Sequence, residues 1–406
     1  MSAVELWPFG TVRPDGRRQT VMPLQLDRPL IVSVVALASL GLVMVASTSM
    51  GLADRQFGTP FHYVLRDGVY LALGFGAVLL LLRIPLAAWE AGGRALFFIT
   101  LVLLAVVLVP GIGKHVNGSV RWLALGPFQF QVSELAKLTA VIYLAGYIVR
   151  QADAVRTTAR GFLTPMLLLA LAGVFLLLEP DFGTTGVIMA TALGMLFLAG
   201  VQLWQFGALF LTVSVGLGLL AVLSPYRLER LTSFLNPWAD PFSSGFQLTQ
   251  ALIAIGRGQW FGVGLGNSVQ KLFYLPEAHT DFLFSILAEE LGLLGVVVVV
   301  GLFSCVVWRA FRVGLRAERA GRPFGAYLAY GIGMWLGIQA FLNIGVNMGV
   351  LPTKGLTLPL MSYGGSSLLI ACVAIGLLLR VDREARRAES GAARVPTRAQ
   401  APGGGR

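Results

Sequence analysis

Charge is scarce in this chain. Only 13% of the 406 residues are Asp, Glu, Lys or Arg, against 56% hydrophobic, and the mean hydropathy is +0.76. Such a composition excludes a water-soluble domain with an ordinary charged surface and fits a protein that crosses a membrane many times. Cysteine is nearly missing. Cys305 and Cys372 lie in apolar stretches without metal-ligand spacing, so they read as small buried residues and define no metal centre. A dinucleotide fold is also missing. Gly262-Val-Gly-Leu-Gly266 has the glycines of a phosphate loop but no strand before it or helix after it, so it reads as a tight turn. No convincing inverted repeat marks the chain as a transporter.

Long apolar runs are plentiful. Ten stretches are long enough to span a bilayer: about 30–50, 64–82, 92–110, 133–149, 162–178, 184–200, 206–223, 281–308, 324–348 and 364–380. The fold class is therefore an all-α polytopic membrane protein. The net charge of +11 is distributed unevenly, and this sets the orientation. With the N-terminus placed in the cytoplasm, the inner segments carry roughly two-thirds of the 31 Lys and Arg, including Arg309 to Arg322 and Arg380 to Arg406. Both termini are then cytoplasmic. The excess charge belongs to orientation and excludes a nucleic-acid site as its cause. Residues 1–29 form a polar N-terminal tail, 30–383 the membrane domain and 384–406 a C-terminal tail read as disordered. The largest extracytoplasmic loop, 224–280, joins spans seven and eight. Leu248, Leu252 and Ile255 recur in it at helical spacing and predict a short helix on the outer membrane face. Another outer loop, Gly111 to Gln131, contains the turn signal Asn117-Gly118 followed by Trp122.

Few polar residues enter the apolar segments, so those that do point to function. Glu134 and Lys137 stand three apart on one helical face, as a buried ion pair, a polar cavity, or both. The stretch Leu275-Pro-Glu-Ala-His-Thr-Asp-Phe282 places acids, a histidine and a hydroxyl where the large loop enters span eight. At that interface Asp281 can be ionised while lipid-borne groups still reach it, which suits a general base; Glu277 and His279 are rival bases. Glu289 and Glu290 lie deeper, about 12 Å further along a continuous helix at ~1.5 Å per residue, and read as packing or hydrogen-bonding groups. Among the outer cations, Arg227, Arg230, Arg257, Lys271 and Lys354 are placed to hold a diphosphate leaving group. Spacing alone leaves a sugar transferase and a proton-coupled transporter both open.

Several motifs narrow the choice. Tyr274-Leu-Pro-Glu-Ala-His-Thr-Asp-Phe-Leu-Phe284 with Glu289-Glu-Leu-Gly292 resembles the signature of the SEDS family (shape, elongation, division and sporulation). So do Glu179-Pro-Asp-Phe-Gly-Thr-Thr185, Gln131-x-Ser-Glu-x-x-Lys137 and Pro359-Leu-Met-Ser-Tyr-Gly-Gly-Ser-Ser367. Val43 to Ser49, Leu235 to Trp238 and Leu351 to Thr357 are similar to the division branch of the family more than to its elongation branch. The resemblance covers about residues 30 to 383.

The resemblance implies a ten-span peptidoglycan glycosyltransferase that polymerises lipid II on the outer face of the cytoplasmic membrane at the septum. Its expected partners are a class B penicillin-binding protein, which crosslinks the product, and other division proteins. The essential aspartate of the family falls on Asp281, and its polar pair on Glu134 and Lys137. Arg227, Lys271, Glu277, His279, Lys354 and Ser362 are the further substrate-binding candidates. No resident metal site is expected, though Mg²⁺ or Mn²⁺ beside the diphosphate is compatible with the chemistry. A lipid II flippase and a non-catalytic division scaffold are the alternatives.

Overall fold

The computed structural model describes residues 26–392 except 117–118, 127, 223–233, 235, 240, 242–244, 273 and 353–354. The two tails up to residue 25 and from 393, and the candidates Arg227, Arg230 and Lys354, lie outside the described residues.

Helices dominate because apolar side chains leave the backbone no partner in a bilayer except itself. The first three are α1 (Arg28–Phe57), α2 (His62–Leu81) and α3 (Leu86–Val107). Three short strands follow, β1 (Gly113–Val116), β2 (Ser119–Leu125) and β3 (Phe128–Gln131), and then α4 (Val132–Arg150) and α5 (Ala152–Thr157). After these come α6 (Ala159–Leu178), α7 (Phe182–Leu198), α8 (Leu203–Val222) and α9 (Phe246–Gly258). The chain closes with α10 (Leu283–Arg319), α11 (Pro323–Asn347) and α12 (Gly365–Ala392). Eight of these helices are long and apolar enough to cross a membrane; α7 and part of α8 are shorter apolar helices. These ten coincide with the ten apolar stretches of the sequence.

The strands form an antiparallel sheet in the order β1-β2-β3. Val116 pairs with Ser119 where β1 and β2 adjoin, and the turn signal Asn117-Gly118 lies outside the described residues. The strands themselves are an addition to the all-helical reading. Gln131 N–H donates to Ser366 Oγ at 3.0 Å, and Ser366 Oγ donates back to Gln129 O, which fastens the sheet to the start of α12.

The largest departure from a plain helix is in α10. Gly292 has φ 65° and ψ −163°, a conformation open chiefly to glycine, and splits the helix. The broken ladder is repaired by the segment after α9. Val263 and Gly264 N–H donate to the carbonyls of Glu289 and Glu290, and Leu293 and Leu294 N–H donate to those of Gln259 and Trp260, at 2.9–3.2 Å. Irregular backbone survives here because these cross-segment bonds satisfy its polar groups. Gly262, Gly264 and Gly266 all have positive φ, so the Gly-x-Gly-x-Gly run is the expected tight turn. The predicted loop helix is α9. It packs on α10, where Gly258 meets the Ala288 carbonyl, and its buried residues Leu248, Ala251 and Ala254 form a face rotated from the Leu248–Leu252–Ile255 stripe read in the sequence.

The two described ends of the chain meet. Arg309 of α10 pairs with Asp27, the N-cap of α1, and Arg386 of α12 reaches the same carboxylate at 3.8 Å. Arg316 pairs with Asp382, which also accepts from Arg386 at 2.8 Å. These pairs, with Arg380–Glu384, carry α12 on to Ala392, so residues 384–392 are helical where the sequence reading began a disordered tail.

Candidate active site

Asp281 lies at the opposite end of the bundle, in a turn before α10. It is not in the helix, so the helical offset assumed between it and Glu289 does not apply. The reason is local: Thr280 and Phe282 N–H both donate to Glu277 O, closing a turn around Glu277, whose φ is 55°. The Asp281 carbonyl is held from α11, where Asn343 Nδ2 and Asn347 Nδ2 each donate to it at 2.9 Å. Asn347 Oδ1 in turn accepts from Ser285 N and Oγ in the first turn of α10.

The same face of α11 reaches further in. Trp335, Gln339, Asn343 and Asn347 recur every four residues and so stack along one side. Gln339 Oε1 accepts from Lys137 Nζ at 2.8 Å and from Trp335 Nε1 at 2.9 Å, while Gln339 Nε2 donates to Thr357 O at 2.9 Å. Asn343 Nδ2 also donates to Leu356 O. Lys137 pairs with Glu134 at 2.8 Å and is 1% exposed, so the pair is buried. One polar stripe on one helix therefore joins the Glu134–Lys137 pair, the 351–364 loop and Asp281. Asn343 and Asn347 were not singled out in the sequence. Their signal was present as amides at helical spacing inside an apolar span.

The Asp281 carboxylate borders the 351–364 loop. A Cβ at Gly355 would stand 2.9 Å from Asp281 Oδ2, so the close approach depends on glycine there. Ser362 is buried and turns the loop, accepting from Leu358 N at 2.9 Å; its role in the described structure is internal to the loop. Burial, reinforced by the charge of Glu277 and then opposed by Arg121, pushes the Asp281 carboxyl up to about 7, with Asp181 adding to the rise. A carboxyl at that value exchanges its proton readily at neutral pH.

The rivals are placed differently. Glu277 is exposed, and its carboxylate accepts from Thr280 Oγ1 at 2.8 Å. The His279 ring sits between Tyr63 and Tyr363, with centroids 5.1 and 5.6 Å away, and burial lowers its pKa against the pull of Glu277. Asp281 is thus the acid that combines a fixed backbone, partial exposure and a neutral-range pKa.

Arg121, on β2, is not among the substrate-binding candidates read from the sequence. Its guanidinium donates to Glu179 O at 2.9 Å and Pro180 O at 2.7 Å, fixing the α6–α7 turn within electrostatic range of Asp281. In that turn Asp181 caps α7 by accepting from Thr184 N, and Glu179 is fully buried with both carboxyl oxygens unpartnered. Burial, then Asp181, push Glu179 up to about 8 against Arg121.

Lys271 and Arg257 already have partners. Lys271 Nζ pairs with Glu290 at 2.8 Å and donates to Ser47 Oγ of α1, and Arg257 reaches Glu289 at 3.4 Å. Glu289 also accepts from Ser268 Oγ and Val269 N, and Glu290 from Ser47 Oγ. The two glutamates thus anchor the loop before the site, the supporting role read for them in the sequence. No group of three or more His, Cys, Asp or Glu among the described residues is arranged to hold a metal ion.

The chain as a whole matches a known family. Residues 28–387 match the FtsW, RodA and SpoVE family of cell cycle proteins, and the chain belongs to that family. Within it, the chain is 59% identical over 396 residues to a probable peptidoglycan glycosyltransferase FtsW of Thioalkalivibrio sulfidiphilus, covering 97% of this chain and 98% of that one. A relative of the same description from Coxiella burnetii is 54% identical over 368 residues, covering 91% and 99% of the two chains. In solved structures, a chain of a peptidoglycan synthase complex that coordinates polymerization and crosslinking superposes with a TM-score of 0.72 at 31% identity, covering 89% of this chain and 99% of that one. The rod shape-determining protein RodA of Thermus thermophilus gives 0.64 at 30% identity, covering 89% and 98%.

Proposed function

We propose that this chain is a peptidoglycan glycosyltransferase that polymerises lipid II, with Asp281 as its general base, in septal wall synthesis. The observation that carries the reading is a half-buried carboxyl held at neutral-range pKa, with its backbone fixed by Asn343 and Asn347. The names of the relatives above support the reaction class.

Asp281 takes the proton from the 4-hydroxyl of the acceptor sugar. That oxygen forms a bond to the anomeric carbon of the growing end. The bond from that carbon to the diphosphate breaks, its electron pair leaves with undecaprenyl diphosphate, and the configuration inverts to β-1,4. Charge on the departing diphosphate calls for cations. Arg121 is in electrostatic range, and the reading keeps Arg227 and Lys354 for this role. The described residues offer no cradle for a divalent ion, so no step is routed through one. Glu134 and Lys137 act through Gln339 and Asn343 on the loops that frame the substrate.

The orientation belongs to the same proposal. The chain crosses the membrane ten times, both termini are cytoplasmic, and Asp281 faces outward. The partner is a class B penicillin-binding protein, in keeping with the neighbour that belongs to a synthase complex performing both polymerization and crosslinking. Purified protein with such a partner, given lipid II in detergent, separates the readings. Glycan polymer is the expected product. Its absence, with lipid II translocation by the same preparation in vesicles, would support the flippase instead; intact recruitment of division proteins with neither activity would support a scaffold.

A further inference from the structure

At the end of the bundle away from Asp281, a cavity of about 630 Å³ opens between the α2–α3 turn, the α10–α11 turn and the last turns of α12. Its apolar lining includes Pro85, Ala87 and Pro323 beside the buried Leu86 and Phe324. Arg322 and Arg387 line it as exposed cations, and neither is in an ion pair with a described acid. Arg387 is also within electrostatic reach of Arg383.

The acids of the cavity are already engaged. Glu384 pairs with Arg380 at 2.8 Å and accepts from Leu86 N at 3.1 Å, at the start of α3. Glu90 is in electrostatic reach of Arg150. Two exposed cationic side chains without an ion-pair partner among the described residues therefore face a roomy, half-apolar space whose acids, Glu384 and Glu90, are within reach of Arg380 and Arg150. Guanidinium groups bind phosphate oxygens in a planar, two-pronged geometry. A free phosphate ion would leave most of this volume and its apolar floor unfilled.

We propose that this cavity is a binding site for the phosphodiester headgroup of an anionic phospholipid, with Arg322 and Arg387 holding the phosphate. Its position supports a lipid over a soluble anion. The cavity lies where α3 and α11 begin and α2 ends, which is headgroup level for helices that cross a bilayer. The same end carries Asp27, Arg309, Arg316 and Arg386, the arginine-rich end that the orientation puts in the cytoplasmic leaflet. The site is independent of glycosyl transfer and rests only on the bundle crossing a membrane with that end inside.

The test uses full-length protein in detergent, mixed with equal phosphatidylglycerol and phosphatidylcholine and examined by native mass spectrometry. Wild type is expected to retain phosphatidylglycerol at least tenfold over phosphatidylcholine. Arg322→Gln/Arg387→Gln should lose that preference at an unchanged melting temperature, and Arg322→Lys/Arg387→Lys should keep most of it. If the double Gln variant does not fold, Arg322→Gln alone, at an exposed side chain, should lower the preference severalfold. Equal retention of the two lipids by wild type, or an unchanged preference in whichever Gln variant folds, would overturn the proposal. So would competition by millimolar glycerol 3-phosphate or inorganic phosphate as strong as that of the lipid. Displacement of the lipid by a poly-glutamate peptide at equal concentration would assign the cavity to an acidic protein segment instead.

Discussion

The side-chain amide of Asn343 donates to the main-chain carbonyl of Asp281 at 2.9 Å, and the same nitrogen donates to Leu356 O. One α11 side chain thus sets the distance between the candidate base and the loop that faces it. Asn343→Leu removes both bonds while Asn347 keeps its own to Asp281. Polymerisation should fall about ten- to a hundredfold through kcat, because a displacement near 1 Å at a reacting group costs that much. Stability should fall by about 1–3 kcal/mol for a buried carbonyl left unpaired. Kinetics at varied lipid II, with a melting curve, checks both; a loss confined to KM would contradict the positioning role.

Gly355 gives a steric test of the same geometry. Gly355→Ala puts a methyl group 2.9 Å from Asp281 Oδ2, closer than unbonded atoms tolerate. Activity should drop at least about tenfold with little change in melting temperature, since the loop is exposed there and the clash is local. Gly355→Ser should behave similarly. An Ala variant with full activity would mean that the carboxylate does not work from this position.

Proton linkage makes a signed prediction. Asp281 is held at about 7 and Glu179 at about 8, above their ordinary values of 3.8 and 4.5, so the folded protein binds both protons more tightly than the unfolded chain does. Their contribution to stability is complete below the ordinary values and is lost as pH rises through about 7 and then about 8. Activity runs the other way, because the base must be ionised, and the rate should rise through about pH 7. Asp181→Asn keeps an N-cap for α7 but removes a negative neighbour, so the acid limb of the pH–rate profile should shift to lower pH. A limb that stays fixed would remove Asp181 from the electrostatics of the site.

The buried Glu134–Lys137 pair should show strong coupling. Lys137→Met leaves Glu134 without its partner at 5% exposure and frees one acceptor of Gln339, at a cost of about 3–5 kcal/mol. The protein should still insert, with impaired polymerisation. Glu134→Gln/Lys137→Met should recover much of the stability without recovering the activity. Additive losses in thermal unfolding would contradict the pairing.

Much of this was legible in the sequence. Apolar length set the ten helices, and interfacial position with the motif match selected Asp281 over Glu277 and His279. What was hidden depends on contacts between distant parts of the chain. Lys271 reads as a free outer cation, yet Glu290 and Ser47 engage it. Arg121 reads as a loop charge, yet it fastens the α6–α7 turn beside the site. The strands of four and seven residues are too short for their alternation to stand out in a loop. The amides at 339, 343 and 347 carried a readable period, but nothing in the sequence said which carbonyls they would meet.

Asp281→Asn in the purified protein with its partner, assayed for lipid II polymerisation at pH 7.5, goes straight to the proposed chemistry. Asn preserves the side-chain size and leaves the carbonyl bonds to Asn343 and Asn347 in place, but it cannot accept the proton. The rate should fall by about 10²–10⁴-fold at an unchanged melting temperature. Polymer of normal length made at the normal rate would show that Asp281 is not the base.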